Sequence, residues 1–212
     1  MEIFLDTVNV SEVSLYRDFI DGVTTNPSMI VKSGLVDYKA SIKKICQLVS
    51  GPVSVEVISD KYDDMLEEGK QITKIHNNIC VKLPCTFDGL QVCKKLSSSG
   101  VSTNLTLCFS PAQALLAAKC GATYVSPFVG RLDDIGHDGM SLVEEIIDIF
   151  EVHGYETRVL VASVRNLQHV IQAAMLGAGA ITVPSQILKQ CFDHPLTIKG
   201  LENFTKDWKK RK

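Results

Sequence analysis

The chain is predicted to be an α/β protein, a closed (β/α)8 barrel with one additional C-terminal helix, and three observations carry that prediction. Eight short apolar runs recur along its 212 residues, longer stretches with apolar residues three or four apart lie between them, and no glycine-rich turn follows the first run. Near-continuous apolar strands covered by amphipathic helices make a parallel sheet. A doubly wound open sheet, the main competitor, usually supplies a glycine-rich turn after its first strand, where this chain has Asp6-Thr7-Val8-Asn9.

The elements follow in order. Ile3–Leu5 is the first strand, with a helix beginning near Val10, and Gly22–Thr24 is the second, leading into the turn and helix start Asn26-Pro27-Ser28. Val53–Val57 precedes the helical pattern Tyr62–His76, and Ile79–Leu83 precedes Leu90–Ser97. Thr103–Leu107 and Pro111–Lys119 form the fifth pair, Tyr124–Phe128 and Leu142–His153 the sixth, and Val159–Ala162 and Asn166–Leu176 the seventh. The only GxG, Gly177-Ala178-Gly179, follows a helix and precedes the eighth strand, Ala180–Val183, so it ends a helix through a left-handed cap and is not a dinucleotide site. Pro195–Trp208 reads as a helix beyond the eighth pair, and Lys209-Lys210-Arg211-Lys212 as a frayed, solvated terminus.

Composition narrows the function classes. The length suits one domain over residues 1–212, and 45% hydrophobic with 22% charged residues is ordinary for a globular protein. A net charge of −2 gives no field for nucleic acid or an anionic membrane. Seven cysteines without CxxC spacing, several within apolar runs, are expected as reduced, buried thiols. Five dispersed histidines offer no zinc spacing, so neither metal nor other cofactor is expected. No basic leader or apolar span opens the chain, which makes a cytoplasmic location the default.

In such a barrel, catalytic groups collect at the carboxyl ends of the strands. Read that way, the first strand offers Asp6, the second leads into Thr24 and Asn26, the third carries Glu56 and the fourth Lys82. The fifth supplies Asn104 and Thr106, the sixth Ser126, Phe128 and Arg131, and the seventh Ser163 and Arg165. Each has a bland alternative. Asp6 caps a helix, Asn26 begins a turn, Glu56 sits at a solvated strand end, and Lys82 is an edge residue whose amine reaches water. Jointly these alternatives fare worse, because a dry core should not receive ionisable groups from three of its first four strands unless they are paired and used. Lys82 in Ile79-Cys80-Val81-Lys82-Leu83-Pro84 is the sharpest candidate: desolvation disfavours its charged form, and a neutral amine attacks a ketone to form a carbinolamine and then an imine. Arg131 and Arg165, beside the sixth and seventh strands, suit a phosphate.

Five separated motifs then carry a resemblance: Gly22-Val23-Thr24-Thr25-Asn26-Pro27-Ser28, Val81-Lys82-Leu83-Pro84, Asn104-Leu105-Thr106, Ser126-Pro127-Phe128-Val129-Gly130-Arg131 and Ala162-Ser163-Val164-Arg165-Asn166. In this order, through nearly the whole chain, they resemble the transaldolase family, and the short length is similar to its small-subunit subfamily, which includes fructose-6-phosphate aldolases. The resemblance implies a TIM barrel of the class I aldolase type, often assembled as a homo-oligomer, a decamer of two pentamers, with the C-terminal helix on a neighbouring subunit. It implies Lys82 as Schiff-base lysine, Asp6 as acid/base group, and Glu56 with Thr106 around the water that shuttles protons. By the same resemblance Asn26 and Asn104 bind a dihydroxyacetone unit, Thr24 and Ser126 line its pocket, and Arg131, Ser163 and Arg165 bind phosphate.

Two positions separate transfer from release. In the aldolases of the subfamily a glutamine stands at the place of Glu56, and at that of Phe128 a tyrosine whose hydroxyl helps activate the water that frees dihydroxyacetone. This chain therefore resembles the transaldolases more, moving dihydroxyacetone from sedoheptulose 7-phosphate to glyceraldehyde 3-phosphate. A lyase releasing free dihydroxyacetone and a non-catalytic sugar-phosphate-binding barrel are the competing readings. None of them assigns a role to Cys85 or Cys108, which are read as buried packing.

Overall fold

A computed structural model of the chain describes residues 1–34 and 36–211. Its eight parallel strands, β1 (Glu2–Asp6), β2 (Gly22–Thr24), β3 (Val53–Glu56), β4 (Ile79–Pro84), β5 (Thr103–Cys108), β6 (Tyr124–Pro127), β7 (Arg158–Val161) and β8 (Ala180–Val183), pair in sequence order. The ring closes where β8 pairs with β1, Phe4 opposite Thr182 and Leu5 opposite Val183. All eight predicted strands are present, displaced by a residue or two at their ends, as strand boundaries usually are. Phe128 is the one that matters: it lies just past β6, bridges Ala162, and begins a helix.

Helices cover the outside: α1 (Val10–Tyr16), α2 (Pro27–Ser33), α3 (Tyr38–Leu48), α4 (Tyr62–Thr73), α5 (Phe87–Ser97), α6 (Pro111–Lys119), α7 (Val129–Asp133), α8 (Gly139–His153), α9 (Leu167–Met175), α10 (Ser185–Gln190) and α11 (Pro195–Lys209). Their starts obey capping chemistry. Asn9, Asn26, Asp37, Thr86, Ser110, Asp138 and Asn166 each accept a first-turn backbone N–H with a side-chain oxygen, and proline opens α2, α6 and α11 where a missing N–H is harmless.

The period-two geometry of strands divides the interior into two cores. Outward residues such as Leu5, Val23, Val55, Val81, Leu83, Leu105, Val125, Val161 and Ile181 meet helix residues such as Ile45, Met65, Val92, Ala114, Ile146 and Ala173 in one continuous layer. Inward residues Phe4, Cys80, Tyr124, Leu160 and Ala180 form a separate plug inside the barrel toward its N-terminal end. Phe4 and Tyr124 meet edge to face there, with ring centroids 5.7 Å apart. Gly22 makes room for the plug, since a Cβ at that position would sit 3.0 Å from the Phe4 ring and 2.6 Å from the Pro52 carbonyl oxygen. With the lower half filled by apolar side chains, only the C-terminal end of the barrel remains for polar ones.

The helix expected beyond the eighth pair is α11, and it contributes no buried residue. Leu196, Ile198, Leu201, Phe204 and Trp208 all stand exposed along it. Of the terminal basic run, Lys212 lies outside the described residues. The seven cysteines carry free thiols, but instead of all being buried Cys191 is exposed and Cys85 and Cys120 are only partly buried. Among the described residues no helix is long and apolar enough to cross a membrane.

Candidate active site

The residues two positions above the plug converge on the C-terminal mouth, because alternate residues of a strand share a face. Asp6 from β1, Thr24 from β2, Lys82 from β4, Ser126 from β6 and Thr182 from β8 line one cavity of about 230 Å³. Asn26, Phe128, Arg131, Ser163 and Arg165 from the loops and helix starts complete it. Glu56, beside Lys82 in register, reaches toward the lysine while lining the adjoining groove between the loops that follow β3 and β4. Asn104 and Thr106 of β5 lie fully buried behind this cavity.

Lys82 is the centre. Only 5% of its surface is exposed, and its Nζ is 3.1 Å from Glu56 Oε2 and 3.2 Å from the Thr25 carbonyl oxygen, to which it donates. The amine is therefore buried near the end of a strand, held by a carboxylate on one side and a backbone carbonyl on the other. Phe128 places the centre of its ring 6.0 Å from the same nitrogen, and no phenol stands there. Thr106 Oγ1 is buried without a hydrogen-bond partner among the described residues, which leaves a donor and acceptor free for a water or a reacting oxygen. It sits at a bulge: one residue of β6, Ser126, between Val125 and Pro127, is matched by two of β5, Thr106 and Leu107, between Leu105 and Cys108, and Leu107 adopts a left-handed φ of 57°.

Asp6 accepts a hydrogen bond from Thr24 Oγ1 at 2.7 Å. Desolvation pushes its carboxyl above the ordinary aspartate range, and the opposing influences of Lys82 and the Thr24 hydroxyl do not cancel it. A carboxyl shifted this way can hold and return a proton closer to neutrality. Asn104 is fixed at both ends, accepting from Ser126 Oγ at 2.7 Å through Oδ1 and donating to Ser54 Oγ at 3.2 Å through Nδ2. Asn26 uses Oδ1 to cap α2 at Met29, leaving its amide N–H groups for a ligand.

The cations sit at the rim. Arg131 stacks its guanidinium 4.8 Å from the centre of the Phe128 ring, and Phe109 packs edge-on against that ring at 6.0 Å. Arg165 is about half exposed and pairs with Asp134 at 2.9 Å. Its backbone N–H donates to His169 Nδ1, which leaves Nε2 to carry the proton toward Asp133 at 3.0 Å, so the turn is tied to α7 and α9. Ser163 has a left-handed φ of 61°, unusual for serine, and its carbonyl accepts from Gly130. A Cβ on Gly130 would lie 2.2 Å from that carbonyl oxygen and 2.6 Å from Arg165 Cγ, so glycine is required for the two loops to touch.

Sequence reasoning missed Thr182, Ser54 and the Thr25 carbonyl. The signal for the first two was present, a hydroxyl at alternating positions within Val53–Glu56 and Ala180–Val183, but alternation does not say which face is inward. Cys85, just past β4, and Cys108, at the end of β5, influence each other electrostatically: that influence, with burial, raises the Cys85 thiol, and Cys85 lowers that of Cys108. Nothing in the site uses them.

Comparison with known proteins adds an independent line. Residues 3–212 match the family model described as Transaldolase/Fructose-6-phosphate aldolase. A probable transaldolase of Thermodesulfovibrio yellowstonii is 55% identical over 214 residues, covering 100% of both chains. Proteins of the same name from Rhizobium meliloti and Clostridioides difficile are 54% and 53% identical, covering 99% and 98% of this chain and 97% of each of theirs.

The raised carboxyl of Asp6 has a stability consequence. Unfolded, the group ionises near 3.8, whereas the folded protein resists ionisation until higher pH, so its contribution to stability is lost as pH rises through the folded value. Asp6→Asn is therefore expected to raise the denaturant midpoint at pH 8 relative to the parent, with the gain vanishing below pH ~4, while catalysis falls by ~10²-fold or more. A lower midpoint for the variant at pH 8 would contradict the assignment.

Proposed function

The chain belongs to the transaldolase/fructose-6-phosphate aldolase family, and from that premise we propose that it transfers a dihydroxyacetone unit through a Schiff base on Lys82. The donor is sedoheptulose 7-phosphate and the acceptor glyceraldehyde 3-phosphate, giving erythrose 4-phosphate and fructose 6-phosphate. The observation that carries this reading is the buried Lys82 amine, 3.1 Å from Glu56 and in the same cavity as the desolvated Asp6. An amine, a carboxylate to move its protons and a second acid/base group are what imine-mediated carbon–carbon cleavage requires.

In the proposed sequence Lys82 attacks the ketone carbon of the donor, and Glu56 with Thr106 handles the protons as the carbinolamine loses water to become an imine. Asp6 takes the proton of the hydroxyl one carbon beyond the bond to be broken. That carbon becomes the departing aldehyde, and the bonding electrons move into the enamine on Lys82. The acceptor aldehyde is attacked by the same enamine, Asp6 returns its proton to the new hydroxyl, and water restores the free lysine and releases the product ketose. Arg131, Ser163 and Arg165, which line the same cavity as the lysine, hold the phosphate of donor and acceptor at the rim. The Phe128 ring near Lys82 has no hydroxyl with which to assist hydrolysis of the three-carbon intermediate, so the enamine persists until an acceptor arrives. Such a reaction on phosphorylated sugars belongs in the cytoplasm.

Assembly is part of the proposal. The exposed apolar face of α11 packs on a neighbouring copy, giving a homo-oligomer such as a decamer of two pentamers. Light scattering of the full chain and of a chain ending at residue 194 checks this, with a sharp fall in mass expected for the shortened form; equal masses would count against it.

Borohydride in the presence of fructose 6-phosphate is expected to leave a reduced three-carbon adduct on Lys82, detected by mass spectrometry and absent from Lys82→Ala. Folded parent protein without the adduct would overturn the Schiff-base mechanism. Phe128→Tyr is expected to raise acceptor-independent release of dihydroxyacetone on the order of tenfold in a coupled reductase assay. A parent that already releases it as fast as it transfers it would make the lyase reading the better one.

A further inference from the structure

Thr182 has no task in the chemistry above, yet it lines the cavity while only 4% exposed. Its hydroxyl lies 2.6 Å from that of Thr24, a contact across 158 positions of sequence. The two reach each other over β1 inside the barrel, because Thr182 is paired with Phe4 and Thr24 with Asp6. Thr24 in turn donates to Asp6 Oδ1 at 2.7 Å, and it is the only hydrogen-bond donor to that carboxylate among the described residues.

Counting hydrogens gives this row a direction. Each threonine hydroxyl carries one hydrogen, and an ionised carboxylate carries none. With Asp6 ionised, the Thr24 hydrogen is committed to Asp6, so Thr182 must be the donor to Thr24. A hydroxyl that accepts a hydrogen bond donates more strongly, since bonds in a chain polarise one another. When Asp6 holds a proton the row can reverse: the acid donates to Thr24, Thr24 to Thr182, and the Thr182 hydrogen turns toward the cavity.

We propose that Thr182 is a positioning residue of the reaction, whose hydroxyl acts through Thr24 to hold Asp6 as an oriented, hydrogen-bonded carboxylate ready for the substrate's hydroxyl proton. This role rests on the transaldolase reading. The other charges around Asp6 are independent of Thr182. Lys82 faces it across the cavity with Glu56 attached, Arg131 and Arg165 stand at the rim, and Glu12 behind β1 is occupied by Thr7 at 2.6 Å and by Ser185 of α10 at 3.0 Å. Thr182→Val keeps the branched shape of the side chain and replaces its hydroxyl by a methyl, which can neither donate nor accept.

The test reads Asp6 directly. Carboxyl ¹³C resonances of aspartate-labelled full-length protein are followed across pH in the parent, Thr182→Val and Thr182→Ser, with Asp6→Asn assigning the signal. Thr182→Val is expected to move the Asp6 titration to higher pH and to lower kcat/KM about fivefold on the acid side of its profile, with little change on the alkaline side. Thr182→Ser should titrate as the parent does. An unmoved Asp6 titration in folded Thr182→Val overturns the proposal, and so does an activity loss of equal size at every pH, which a purely structural role would give. If the valine variant does not fold, Thr182→Ala is judged by the same two criteria. The titration needs no turnover, so a shifted Asp6 in protein without transfer activity removes the transaldolase reading and leaves the coupling standing. A trapped Lys82 adduct with an unshifted Asp6 does the reverse.

Discussion

Every inward-facing contact of this protein depends on β8 hydrogen-bonding back to β1. Closure removes both sheet edges and gives eight strands one common interior, in which residues two apart on a strand rise by about 6.6 Å along the same face. The interior is thereby graded. Phe4, Cys80, Tyr124, Leu160 and Ala180 fill the N-terminal end, and the polar and charged side chains, among them Thr24, Asn104, Ser126, Thr182, Asp6 and Lys82, stand toward the mouth. A lysine at position 82 is buried because it shares an inward face with Cys80, which belongs to the plug.

That burial is expensive, and stability does not explain it. Removing an ammonium and a carboxylate from water costs several kcal/mol per ion, and a buried pair such as Lys82–Glu56 often does no more than offset this. The arrangement makes sense as preorganised electrostatics, with groups already desolvated and aimed before a substrate enters. Two carboxylates face one lysine in different environments: Glu56 is ion-paired with it from the adjacent strand, whereas Asp6 lies across the cavity, hydrogen-bonded to a threonine and resistant to ionisation. Different environments allow the same functional group to serve in two steps.

The rim follows another rule. Arg131 rests on an aromatic face and Arg165 on a solvated aspartate, so neither is forced into the dry interior. Arg165 can leave its aspartate at modest cost, because exposed ion pairs contribute little. The apolar side of α11 is the other feature at the surface, a helix with no buried residue that leaves Leu196, Ile198, Leu201, Phe204 and Trp208 exposed.

Much of this was legible in the sequence. The eight strands, their order and the candidate residues at their carboxyl ends follow from period-two runs separated by period-3.6 stretches, because side-chain direction repeats locally with the backbone. Lys82 was conspicuous for the same reason, as one charge in an apolar run. Tertiary structure alone decided which neighbours those residues have. The lysine expected simply to be desolvated is also paired with Glu56, a consequence of strand register. Arg165 is tied to Asp134, and Asn104 is held at both ends by serines fifty positions before and twenty-two after it. The meeting of Thr24 and Thr182 needs the ring to close over β1, and no local pattern in either strand encodes that closure. Local periodicity sets which way a side chain points; its partner is set by the register of strands that are distant in sequence.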